Sequence, residues 1–132
     1  VLPSFPTRRS SDLDNGPHRV GVSQGSSSEG VLSQAFKQAR VVPQPSIPVA
    51  TRSLQQGQLD AFATNKAILH AMKENLPGAR VLEGRWGLEH MAIAIPKNRI
   101  SALPYLNRFA QTVKSDGQLR QIIERSGLQG SI

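Results

Sequence analysis

The sequence predicts an α/β fold: a small doubly wound parallel sheet with helices on both faces, followed by a shorter segment of different character. Three observations predict it. Short apolar runs alternate with segments of helical period from residue 19 onward. The turns between them are built from Gly, Pro, Asn and Ser. Strand, helix and strand follow one another within about 25 residues, the pattern of a βαβ unit with parallel strands and a right-handed crossover.

Taken in order, Asp14-Asn-Gly-Pro17 is turn chemistry, and Arg19-Val-Gly-Val-Ser23 alternates as a short strand does. After Gln24-Gly25-Ser-Ser-Ser28, the apolar residues Val31, Leu32, Ala35, Phe36 and Ala39 recur at helical spacing, with Ser27 or Ser28 as the N-cap. Arg40-Val-Val42 reads as a second strand, residues 49–56 as a helix closed by Gly57, and residues 59–63 as a third strand. Asn65 caps a helix carrying Ala67, Ile68, Ala71, Met72 and Leu76; Pro77-Gly78 ends it, and residues 80–82 read as another short strand. From Leu88 the character changes. Met91-Ala-Ile-Ala-Ile95 has the pattern of a buried strand ended by Pro96. A helix from Ser101 follows, with Leu103, Leu106, Phe109, Ala110 and Val113 and with Pro104 tolerated in its first turn. A last helix uses Leu119, Ile122 and Ile123 and closes at Gly127.

Composition bounds the function. The 132 residues are one domain's worth of chain. Sixteen Lys+Arg against nine Asp+Glu give a formal charge of +7, but the basic residues are scattered singly apart from Arg8-Arg9, and aromatics are 5%. A basic surface without stacking residues does not make a nucleic-acid interface. The chain has no cysteine, which excludes disulfides, thiolate metal sites and a Cys nucleophile, and its three histidines stand apart, so neither metal nor cofactor is expected. The longest apolar run is far below the roughly 18 to 20 residues of a membrane span.

Chemistry is expected where the first strand runs into the first helix. Helical N–H groups of the first turn have no intrahelical partner, the helix dipole adds partial positive charge, and Ser26, Ser27 and Ser28 add hydroxyls, so an anion is favoured there; the plainer reading is that Gly25 makes the turn and one Ser caps. Asn65 has the same two readings, beyond the carboxyl end of its strand. Asp60, inside strand 59–63, reads as a pairing or capping group: no second carboxylate or His accompanies it, so paired-acid catalysis lacks its parts. No Gly-x-Ser-x-Gly elbow is present. Arg85 and Trp86, between two strands, read as packing residues, with a hinge contact or an exposed ligand wall as the alternatives, and His70 reads as a surface or boundary residue.

Two resemblances emerge from these strings. Ser4-Phe-Pro-Thr-Arg-Arg-Ser-Ser-Asp-Leu13 resembles one reading frame of a common sequencing-adapter oligonucleotide, which makes residues 1–13 a non-native tail. The segments Arg19-Val-Gly-Val-Ser-Gln-Gly-Ser-Ser-Ser-Glu29, Leu54-Gln-Gln-Gly-Gln-Leu-Asp-Ala-Phe-Ala-Thr-Asn65 and Ala92-Ile-Ala-Ile-Pro-Lys97, with Phe109 to Gly117 and Ile123 to Gly127 behind them, together resemble the type II extracellular solute-binding proteins of ABC importers, in their polar amino acid-binding branch. The likeness covers about residues 18–130 and rests on the order and spacing of the motifs. It implies a two-lobed periplasmic-binding-protein-like type II fold whose lobes close on ligand. In that pattern residues 14–84 form the second lobe, and residues 85–132 form the crossover and the C-terminal strand and helices of the first. The rest of the first lobe, its carboxylate-clamping Arg and a signal peptide would then lie outside the sequence, and residues 88–132 would expose apolar surface.

By position, the resemblance implies ligand contacts from Gly25, Ser26, Ser27, Ser28, Thr64 and Asn65, with no catalytic residue. Asn65 stands where amino acid-binding members usually carry an Asp that pairs with the α-ammonium. Asn keeps an acceptor and loses the charge, which favours a small organic anion or an amino acid derivative without a free ammonium. The implied partners are a small solute and an importer permease, with a full-length monomer located in the periplasm or tethered outside the membrane. A ligand-sensing domain of a receptor kinase would use the same clamp. An enzyme on this scaffold, such as a dehydratase or a cell-wall lyase, would need an acid or base in the cleft.

Overall fold

The computed structural model describes residues 10–130, with side-chain surroundings from residue 12 onward. Most of the adapter-like stretch therefore lies outside the described residues. The chain divides into two compact units, the first ending at Gly87 and the second beginning at Leu88.

The first unit is a three-stranded parallel sheet, β1 (Arg19–Ser23), β2 (Arg40–Gln44) and β3 (Ala61–Ala63), in the order β2-β1-β3. Pairing places Val20 beside both Val41 and Ala61, and Val22 beside Ala63. Helices α1 (Ser27–Ala35), α2 (Ile47–Gln55) and α3 (Lys66–Lys73) connect or follow the strands. Two apolar clusters show that the sheet is covered on both faces. Leu13, Val20, Val22, Leu32 of α1 and Ala63 form one, with Phe36, Leu82 and Trp86 against it. Ala50 of α2, Leu59, Phe62, Met72 of α3 and Leu76 form the other. Central β1 is buried on both sides, as expected of a parallel strand covered by crossover helices.

Several boundaries differ from the sequence reading, each for a local reason. The N-cap of α1 is Ser26, whose hydroxyl accepts from the Glu29 N–H at 3.3 Å, one residue before the expected Ser27 or Ser28. The same helix stops at Ala35, not near Ala39. The Asp14 carboxylate accepts from the N–H groups of Lys37, Gln38 and Ala39 at 2.8–2.9 Å, which satisfies them outside a helix. These bonds also hold the Asp14 carboxyl below its ordinary value. Strand β2 runs two residues further, through Pro43, because it is an edge strand and a missing N–H is tolerated there. Helix α2 begins at Ile47 behind a Ser46 cap, with Pro48 in its first turn.

Residues 80–82 do not join the sheet. Ala79 packs with the cluster on the α2 and α3 face, and Leu82 and Trp86 pack with the cluster on the α1 face. Trp86 is thus a packing residue. Leu13, the last residue of the adapter-like stretch, lies within a 3-10 helix at Ser10–Asp14, is 7% exposed and packs with Val20 and Leu32.

Asp60 lies just before β3 rather than inside it. Its Oδ2 accepts from the Arg19 backbone N–H at 2.7 Å and from Nε at 3.0 Å, and its Oδ1 accepts from Nη2 at 2.9 Å. The same Nη2 donates to the Gly57 carbonyl at 2.7 Å. This fork ties the starts of β1 and β3 together, which is the structural role expected of Asp60. The hydrogen bonds from Arg19 outweigh partial burial and hold the Asp60 carboxyl below its ordinary value of 3.8. A depressed carboxyl contributes stability above its unfolded value and loses it as the pH falls through the folded one. Asp60→Asn is therefore expected to lower stability at neutral pH by about 1–2 kcal/mol. It is also expected to remove part of the parent chain's loss of stability as the pH falls below 3.8. Urea unfolding of both proteins at neutral pH and at a pH below 3.8 checks this.

The second unit contains a 3-10 helix (Lys97–Ala102), α4 (Leu103–Ser115) and α5 (Gln118–Arg125), with α4 and α5 packed on one another. Pro104 sits in the first turn of α4, and Gly127 takes φ 64 after α5, both as expected. The expected buried strand at residues 91–95 is not formed. Met91 is 94% exposed and Ile93 59%, and no described strand pairs with the segment; a strand without a ladder has nothing to hold it. No described residue of this unit is fully buried, and Leu103, Phe109 and Ile122 are exposed, as anticipated for residues 88–132.

Candidate ligand-binding site

In a parallel sheet every strand ends at the same edge, and every following helix starts there. Here that edge carries three N-capped helix starts: Ser26 for α1, Ser46 for α2 and Asn65 for α3. The strand order sorts them. From β1 the chain leaves over one face into α1, and from neighbouring β3 it leaves over the other face into α3. Between two adjacent strands whose connections depart in opposite directions the loops splay apart, and open α/β sheets bind ligands in that crevice. The last paired residues of these strands are Val22 and Ala63, so Ser23 and Thr64 stand at the mouth of the crevice. Gly25, Ser26 and Ser27 rise on one side and Asn65 on the other.

The β1–α1 loop is a tight, internally bonded turn. The Ser26 N–H donates to the Ser23 carbonyl at 3.1 Å, and the Gln24 N–H donates to the Gln44 carbonyl at 2.9 Å, fastening the loop to β2. Gly25 adopts φ 73, in the left-handed region that favours glycine. Its N–H donates to Glu29 Oε2 at 2.6 Å. Ser26 and Glu29 thus bracket the helix start in the Ser-x-x-Glu spacing of a capping box, with the carboxylate reaching Gly25. Glu29 was not among the expected site residues, although that spacing was visible in the sequence. Its carboxylate occupies the Gly25 N–H, so an anion approaching this loop would have to displace it.

The other expected residues divide. Ser27 is exposed, Ser26 and Thr64 are half-buried, and Ser28 is 7% exposed, so Ser28 presents little of itself to a ligand in the crevice. Asn65 is exposed, and its Oδ1 accepts from the Ile68 N–H at 3.0 Å. That bond fulfils the capping reading and leaves the side-chain amide N–H groups directed elsewhere. Lys66, the first residue of α3, adds a positive charge beside Asn65 that sequence reading passed over. Among the described residues no three His, Cys, Asp or Glu side chains come together, and no helix is long and apolar enough to cross a membrane.

An open groove of about 530 Å³ lies elsewhere, on the flank between α2 and α3, lined by Ile47, Thr51, Arg52, Ile68, Ala71 and Asn75 among others. It is apolar, and it shares Ile68 with the first turn of α3 that Asn65 caps. No family model, curated protein or solved structure matches the chain significantly.

Proposed function

We propose that this chain is part of the substrate-binding subunit of an ABC importer and holds a small polar solute at the carboxyl edge of its sheet, outside the cytoplasmic membrane. The observation that supports this most is the coincidence of the Gly25–Ser27 loop and the Thr64-Asn65 loop with the switch point between β1 and β3. The solute is a carboxylate-bearing molecule, an organic anion or an amino acid derivative. Two helix starts and Lys66 favour its charge, and Asn65 offers hydrogen bonds without an anion to pair an ammonium. On this reading the exposed Met91, Ile93, Leu103 and Phe109 belong to the core of the first lobe, and a permease is the partner of the closed form.

The test is a backbone-amide NMR titration with a free α-amino acid, its N-acetyl derivative and a dicarboxylate. The expected shifts map to residues 24–29 and 64–66, with the N-acetyl compound or the dicarboxylate binding more tightly than the free amino acid. Asn65→Asp is expected to reverse that order, improving the free amino acid by about tenfold. Shifts confined to the α2 and α3 flank, or none, overturn the proposal.

A further inference from the structure

We propose that Asn15-Gly16 is a self-modification site, where the chain converts its own asparagine to aspartyl and isoaspartyl forms with His18 assisting. Of the five asparagines, Asn15 alone precedes a glycine. Glycine has no Cβ to hinder its amide nitrogen, and no described backbone carbonyl accepts from the Gly16 N–H. The turn is exposed at Asn15 and held by its neighbours: the Asn15 N–H donates to the Asp12 carbonyl at 3.4 Å, and the His18 N–H donates to the Gly16 carbonyl at 2.8 Å. That second bond folds the imidazole back over the dipeptide. His18 Nε2 lies 3.3 Å from Asn15 Oδ1 and 3.6 Å from where a Cβ on Gly16 would be. With Nε2 protonated, it donates to the amide oxygen on which negative charge develops.

The step is a cyclisation followed by hydrolysis. The Gly16 nitrogen loses its proton to solvent and attacks Asn15 Cγ, forming a new C–N bond. Nδ2 takes up a proton and leaves as ammonia, giving a five-membered imide. Water then opens either imide carbonyl. One product restores the main chain with an aspartyl side chain; the other routes the main chain through the side chain and lengthens it by one methylene. That extra length falls between two anchors: the Asp14 carboxylate on residues 37–39, and His18, whose carbonyl accepts from the Arg40 N–H at 2.7 Å. The isoaspartyl product strains one of them.

The experiment is incubation of the full chain at neutral pH, followed by tryptic mapping of the peptide spanning residues 10–19. The expected result is conversion of that peptide to two chromatographic products that carry the mass of an amide replaced by an acid, while the peptides holding Asn65, Asn75, Asn98 and Asn107 stay unchanged. His18→Ala is expected to slow conversion by about fivefold, His18→Gln to restore much of it through its own N–H donor, and urea to erase the difference. Material enriched in the isoaspartyl form is expected to melt at a lower temperature. Conversion at Asn15 no faster than at the other asparagines overturns the site. An unchanged rate in folded His18→Ala overturns the assistance by His18.

Discussion

Gly21→Ala is expected to destabilise the chain by about 1–3 kcal/mol, and Gly21→Val by more, enough to abolish cooperative unfolding of the first unit. Gly21 sits in the middle of β1, the central strand, and is itself buried. A Cβ there would lie 2.5 Å from Leu59 Cδ1 and 2.9 Å from Phe62 Cδ2, with Gln44 Cγ at 3.5 Å. Terminal side-chain atoms usually move aside, but Leu59 is 2% exposed and Phe62 9%, so neither has anywhere to go. The requirement for glycine is one of space, since its φ is not in the left-handed region. Urea unfolding followed by circular dichroism checks it, and a Gly21→Val protein as stable as the parent would refute this packing.

The second large effect is at Leu59 itself. Leu59→Ala removes one of the largest fully buried side chains and is expected to lower stability by about 2–5 kcal/mol. The vacated space is the space a methyl on Gly21 would need. In the Leu59→Ala background, Gly21→Ala is therefore expected to be partly relieved, with a coupling of about 0.5–3 kcal/mol between the two positions. Relief is incomplete because Phe62 still stands at 2.9 Å. Equilibrium unfolding of the parent, both single variants and the double variant measures the coupling. Strict additivity would mean that the backbone of β1, not Leu59, absorbs the added methyl.

Much of the first unit was legible because its signals are local. Asn65 caps α3, and Gly57 and Gly78 take positive φ at chain reversals, each a property of a residue and its immediate neighbours. The alternation of β1 and the helical period around Met72 follow from side-chain geometry along a single element. The candidate site was legible for the same reason: a Gly-Ser run between a strand and a helix has to lie at a strand's carboxyl end. What escaped was non-local. Asp14 ends α1 from more than twenty residues away, by accepting from three N–H groups that the helical period had assigned to a continuing helix. Pro43 belongs to a strand only because β2 lies at an edge. Residues 91–95 carry a strand's composition and form no strand, since composition does not provide a neighbour to bond with.

The sequence by itself determined the α/β class, the order of elements from β1 to α3, the Asn65 cap and the turn glycines, because each depends on dihedral preferences and hydrogen bonds that close within a few residues. Tertiary structure alone decided which strands pair, that Gly21 leaves room for Leu59 and Phe62, that Arg19 and Asp60 join the starts of β1 and β3, and that Glu29 stands over Gly25 at the crevice. Those outcomes depend on contacts between distant residues, and such contacts exist only once the sheet order β2-β1-β3 has brought the segments together.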